Sequence, residues 1–116
     1  MRYDFQKLDA YQRAMDFADE IFRMTESFPQ RLQYSLGDQL RRAALSVCNN
    51  IAEGSQKRGQ AKRQFYGYAL DSARECVPML ELSLRRQLID KSLYNRLDDL
   101  CFRIASMTYA LIRSVD

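Results

Sequence analysis

Arg41-Arg42-Ala43-Ala44-Leu45-Ser46-Val47-Cys48-Asn49-Asn50-Ile51-Ala52-Glu53-Gly54 reads as one amphipathic helix, and it sets the class of the fold. With Leu36 and Leu40 before it, the series Ala43, Val47, Ile51 recurs at three- and four-residue steps, the repeat of a helix face. Ala44, Leu45, Cys48 and Ala52 widen that apolar arc to roughly half the helix. Gln39, Arg42, Ser46, Asn50 and Glu53 form a polar ladder along one flank. Ser35, with Asp38 following, is the expected cap at the start, and Gly54 the expected stop at the end.

Working outward, three more helices are expected. The first spans Asp4 to Phe28 and is stopped by Pro29. Its inward stripe reads Leu8, Tyr11, Met15, Ala18, Phe22 and Thr25. A second stripe of Ala10, Ala14, Phe17, Ile21 and Met24 has the same spacing. One bundle core needs only the first stripe. Ala14, Phe17, Ile21 and Met24 are therefore expected at the surface of a single chain, as the interface of a homo-oligomer. The third helix spans Gln60 to Gln87, with Phe65, Ala69, Ser72, Ala73, Cys76, Leu80 and Ser83 or Leu84 inward. Pro78 falls on its outward face, where a modest kink disturbs packing least. Asp90 caps a fourth helix carrying Leu93, Leu97, Leu100, Ile104, Met107 and Leu111. Short connections between these elements predict an all-α, up-down-up-down antiparallel four-helix bundle, a single domain over residues 1–116.

Composition narrows the function. The chain has no histidine, which removes the commonest general base and the commonest metal ligand together. It has no glycine-rich phosphate loop and no paired carboxylate motif. The expectation is a protein that is not an enzyme, with no catalytic residues, no metal and no cofactor. Cys48, Cys76 and Cys101 are odd in number and fall on apolar helix positions, so they read as buried free thiols. No apolar run approaches the ~20 residues of a membrane span, and Met1-Arg2-Tyr3-Asp4-Phe5-Gln6-Lys7 lacks the apolar core of a signal peptide. These features predict a cytoplasmic protein without membrane contact.

Two polar regions are candidates for function. If the second and third helices pair about a loop near Lys57, equal rise along both sets Gln39 level with Glu75 and Arg42 with Ser72. An Arg42–Glu75 ion pair is then expected. Gln39, Arg42, Ser46, Asn50, Glu53 and Glu75 read as a structural network fixing helix register, with a ligand groove as the other reading. The second region is a basic pole. Topology gathers Arg2, Lys7, Lys57, Arg58, Lys62, Arg63 and Arg113 at one end, against Asp4, Asp9, Glu53 and Asp116. Lys57, Arg58, Lys62 and Arg63 bracket one loop, with Phe65 and Tyr66 as a possible stacking face for RNA or single strands. A ring of subunits would multiply that basic density.

Gln39 to Gly54 resembles the signature of the bacterial 23S rRNA intervening-sequence proteins, roughly Q-[LI]-R-R-A-A-x-S-[IV]-x-x-N-I-A-E-G. Gln39, Arg41, Arg42, Ala43, Ala44, Ser46, Asn50, Ile51, Ala52, Glu53 and Gly54 match it. The flanks agree through Phe5-x-x-Leu8, Phe28-Pro29, Phe65 and Ala69-x-x-Ser72-x-x-Glu75. Pro78, and Asp71-Ser72 in place of the usual Gly-Ser, depart from the pattern. The resemblance implies an up-down four-helix bundle that assembles into a homopentamer, with no established enzymatic activity. It also implies similarity to the accessory proteins of diversity-generating retroelements, which bind a reverse transcriptase and nucleic acid. The expected partners are accordingly a second copy of the chain, rRNA or other nucleic acid, and a reverse transcriptase or other protein. The leading expectation is a nucleic-acid-binding accessory protein. The alternative is a protein-interaction scaffold that makes no direct nucleic-acid contact.

Overall fold

The computed structural model describes residues 1–116. Four long helices, α1 (Asp9–Thr25), α2 (Asp38–Ser55), α3 (Gly59–Arg85) and α4 (Lys91–Arg113), form an all-α antiparallel bundle measuring 44 × 24 × 21 Å. Helix α1 packs against α2 and α4, and α3 packs against the same two, so the helices close a square. Their inner faces share one core of 21 buried residues. Leu40, Val47, Ile51, Leu80, Leu97 and Ile104 are all within 1% of full burial, as their spacing predicts.

The α1 stripes change places. Ala14, Phe17, Ile21 and Met24 are buried at 0%, 1%, 0% and 6% exposure, within the core of a single chain. They are unavailable as the surface of an oligomer interface. Met15 and Phe22, expected inside, are 40% and 37% exposed. Each helix of a square bundle meets two neighbours, so its buried arc is wide and centred between them. Ala10, Phe17 and Ile21 occupy that centre, Ala18 and Thr25 flank it, and Met15 and Phe22 fall beyond its edge.

The entry to α2 also differs. A 3-10 turn at Asp4–Lys7 precedes α1, and α1 ends at Thr25 rather than Phe28. Helical backbone resumes directly after Pro29, through Gln30–Leu32 and a π-helical stretch at Gln33–Gly37, and runs into α2. Proline immediately before a helix suits its missing N–H and fixed φ. Ser35 is therefore inside the π turn and is not a cap; its hydroxyl donates to the Leu32 carbonyl at 3.4 Å. Arg41 holds this joint. Its guanidinium donates to the Gln33 side chain at 3.2 Å and to the Gln33 carbonyl at 2.7 Å. The Gln33 amide in turn donates to the carbonyls of Thr25 and Phe28 at 2.8 and 2.9 Å. Backbone acceptors freed at the end of α1 are thus satisfied from the π-helical stretch that leads into α2.

Gly54 is not a stop. Helix α2 continues to Ser55, and the left-handed glycine is Gly59, with φ of 56°. A Cβ on Gly54 would lie 2.8 Å from Cδ1 of Tyr66. The glycine lets the start of α3 close on the end of α2. Pro78 is exposed and α3 runs unbroken through it. Asp90 caps α4 as its sequence predicts, accepting the Leu93 N–H at 2.8 Å.

Candidate nucleic-acid interface

The loop between α2 and α3 is built from backbone bonds before any charge is placed. The N–H groups of Gln56 and Lys57 donate to Glu53 and Gly54 at 3.1 Å each, tightening the last turn of α2. Arg58 is extended, and α3 starts at Gly59 with no side-chain cap and no acidic residue in its first turn. Unsatisfied N–H groups and the positive end of the helix dipole therefore face the same solvent as Lys57 and Arg58.

The basic residues divide into two kinds. Lys57 and Arg58 are exposed, and neither has an acidic partner within salt-bridge distance. The Lys57 ammonium lies over the Phe65 ring at 5.9 Å from its centroid. Lys62 is half-buried; it donates to the Ser55 carbonyl at 3.2 Å and sits 5.4 Å from the Tyr66 ring centroid. Arg63 donates to the Val115 carbonyl at 2.9 Å, tying the chain's last residues to α3. Lys62 and Arg63 thus have structural duties beside their charge. Arg58, Lys62, Ser114 and Asp116 line a groove of about 330 Å³ between the start of α3 and the end of α4. The seven basic and four acidic side chains that topology assigns to this pole leave a surplus of three, equal to the net charge of the whole chain.

The expected stacking face changes. Tyr66 is 3% exposed and packed beneath Gly54, so its ring is closed to a ligand. Phe65 is half-buried, edge-on to Tyr68 at 5.9 Å. Tyr3, 53% accessible and stacked on Phe5, is more exposed than Tyr109 under Arg113 at 47% or Tyr68 beside Phe65 at 46%. Helical periodicity does not select Tyr3, because it precedes the first helix.

Helices α2 and α3 bring the polar ladder together in a different register. The Ser46 and Ser72 hydroxyls are 2.8 Å apart, and the Asn50 amide donates to the Ser46 carbonyl and hydroxyl at 2.8 and 3.0 Å. Ser72, not Glu75, is therefore the cross-helix member. Arg42 does not pair with Glu75; its Nε donates to Asp38 at 2.9 Å, one turn back on its own helix. Side chains lean toward the N-terminus of their own helix. Touching residues on antiparallel neighbours are consequently offset from the pairs that lie level. Gln39, Arg42, Ser46, Ser72 and Glu75 line a groove of about 370 Å³, with Gln39 and Glu75 exposed at its rim and Glu53 exposed beyond it.

Cys48, Cys76 and Cys101 are buried free thiols. Burial pushes Cys48 and Cys101 up to about 11, and Cys76 further in the same direction, helped by Cys101 and Glu75 nearby. The Cys101 thiol donates to the Ala73 carbonyl at 3.1 Å, a contact between α4 and α3. The three are packing residues, poorly disposed to form thiolates.

A largely apolar groove of about 590 Å³ runs between α3 and α4. Val77, Phe102 and Tyr109 stand at its edge with 41%, 75% and 47% exposure. Phe102 and Tyr109 are seven positions apart on α4, and that spacing marks an outward stripe beside the core stripe.

The sequence over residues 6–110 matches the family described as 23S rRNA-intervening sequence protein. The chain belongs to that family. Its bundle is similar to the crystal structure of a protein of unknown function from the S23 ribosomal protein family of Bacteroides thetaiotaomicron. The TM-score is 0.82 at 21% identity, covering 90% of this chain and 96% of the other. At that identity the likeness establishes the fold. None of the curated proteins matches the chain. No helix is long and apolar enough to cross a membrane.

Proposed function

We propose that this member of the 23S rRNA-intervening sequence protein family is a non-enzymatic, homo-oligomeric bundle that binds RNA or DNA through its basic pole. The observation carrying this reading is the pairing of two uncompensated cations, Lys57 and Arg58, with the uncapped start of α3. Phosphate oxygens suit both the ammonium and guanidinium groups and the free helical N–H groups. Such contacts fix a backbone without reading bases, so binding is sequence-tolerant and salt-sensitive. Lys62 and Arg63 add charge while holding Ser55 and Val115. The test is fluorescence anisotropy on labelled rRNA fragments at low salt, with a Lys57→Glu/Arg58→Glu variant. Binding by the wild type and its loss in the variant support the reading. Equal binding by both, or none by the wild type, overturns it.

Self-association belongs to the same reading, and the homopentamer implied by the family resemblance is its expected form. The α3–α4 groove supports it in place of the α1 stripe. Leaving Phe102 75% exposed beside Val77 and Tyr109 forgoes apolar burial worth about 25 cal/mol per Å². A ring would set several basic poles in one field. Light scattering is expected to return a mass several times 13.6 kDa for the wild type and a smaller species for Phe102→Glu. A wild-type monomer at micromolar concentration contradicts this part. The same groove also favours a second reading, a scaffold that holds a protein partner such as a reverse transcriptase. Partner capture that resists nuclease, by a protein that fails to bind rRNA fragments, would select it.

A further inference from the structure

We infer that the Tyr3–Phe5 aromatic pair is a base-stacking platform, and that the nucleic acid bound at the basic pole is single-stranded. The inference rests on the basic-pole reading and adds the class of strand and the residue that meets the base. Tyr3 and Phe5 are parallel, with ring centroids 5.7 Å apart and planes inclined by 10°. Phe5 is anchored by an edge-on contact with Tyr11 of α1 at 5.0 Å, while Tyr3 keeps 53% of its surface open.

The backbone of the pair is pinned. The Tyr3 N–H donates to Gln6 Oε1 at 2.9 Å, and the Gln6 N–H returns a bond to the Tyr3 carbonyl at 3.1 Å. The Gln12 amide then holds the Gln6 carbonyl at 2.7 Å from α1. A fixed ring loses little freedom when a ligand stacks on it.

Charge and space lie beside the ring. Arg2, Tyr3, Asp4 and Phe5 form one wall of a groove of about 380 Å³, and Ser55 and Gln56 form the other. That volume falls in the range of small-ligand sites, ~300–1,000 Å³. The next residues after Gln56 are Lys57 and Arg58, so a backbone crossing the basic loop delivers a base to this groove. Asp4 is the one acidic residue lining it, and its carboxylate lies 3.9 Å from the Lys7 ammonium. A duplex keeps its bases stacked on each other, whereas a single strand can present an open base face to an aromatic ring.

The test uses labelled oligo(dT), an abasic strand of the same length and a matched duplex. Tyr3→Ala is expected to weaken oligo(dT) binding about 5- to 150-fold, the range of one lost base–aromatic contact. Tyr3→Phe keeps the ring and is expected to bind like wild type. The abasic strand is expected to bind weakly and equally to wild type and Tyr3→Ala. The chain has no tryptophan, so Tyr3→Trp supplies a single indole reporter, expected to be quenched by oligo(dT) and not by the abasic strand. Unchanged oligo(dT) affinity in Tyr3→Ala, with binding still abolished by Lys57→Glu/Arg58→Glu, overturns the platform and leaves the basic-pole reading standing. Duplex binding tighter than oligo(dT) overturns the single-strand assignment. No binding of any strand by the wild type overturns both.

Discussion

Replacing Gly54 by alanine tests why the family signature ends in glycine. A Cβ there would lie 2.8 and 2.9 Å from two ring carbons of Tyr66, and 3.2 Å from Cβ of Phe65. The ring cannot swing clear easily, because Tyr66 is 3% exposed. Overpacking of this kind costs about 1–3 kcal/mol. Contact under 3 Å with a buried ring places the cost near the upper end, ~3 kcal/mol. Helix propensity opposes it, since alanine is favoured over glycine by about 1 kcal/mol in a helix interior. The net expectation is a loss of about 2 kcal/mol, or roughly 5–10 °C in Tm for a chain of this size. Thermal and urea unfolding followed by far-UV circular dichroism measure it. A Tyr66→Leu partner completes the cycle. In that background Gly54→Ala is expected to cost much less, because the ring contact is gone and the propensity gain remains against the 3.2 Å approach to Phe65 Cβ. If Gly54→Ala alone were as stable as wild type, the close approach of α2 and α3 would not be the reason for the glycine.

Gln87 follows α3 with φ of 58°, and the Leu88 and Gln87 N–H groups bond back to Ser83 and Leu84 in the pattern of a left-handed helix stop. Gln87→Gly is expected to raise stability by ~0.5–1 kcal/mol in the same unfolding assay. The cysteines predict alkaline behaviour. Cys48 and Cys101 are pushed from the ordinary thiol value up to about 11 by burial, so the folded chain holds protons that the unfolded chain gives up sooner. Their contribution to stability is full below about pH 9 and is lost as pH rises toward about 11. Urea midpoints across that window check the fall, and Cys48→Ala/Cys101→Ala is expected to make it shallower, with the share of Cys76 remaining.

Much of the fold is legible because helical spacing is a strong local signal. Leu97, Ile104, the Asp90 cap and the series Leu40 to Ile51 could be placed from spacing and capping chemistry alone, whereas Leu100, Met107 and Leu111 are half-buried and Thr108 takes a core position. Spacing fails where two apolar stripes share a period, as on α1. There the geometry of the square, not the pattern, selects Phe17 and Ile21 for the core. It fails again at Gly54, whose reason is a ring in the next helix. The Arg41–Gln33 clamp spans a π turn that no repeat encodes. At the basic pole, sequence locates the charges but not their duties. Lys62 and Arg63 look equivalent to Lys57 and Arg58 until their carbonyl partners are seen.

The proposed function stands on contact between phosphate and the side chains of Lys57 and Arg58. Its most direct test is the salt dependence of binding to a single strand, for wild type and a Lys57→Gln/Arg58→Gln variant. Each phosphate contact contributes about 0.7 to the slope of log K against log salt on single strands. Weaker binding by the variant is expected, with a slope shallower by about 1.4 for each engaged subunit. Identical slopes and affinities for the two proteins would contradict it.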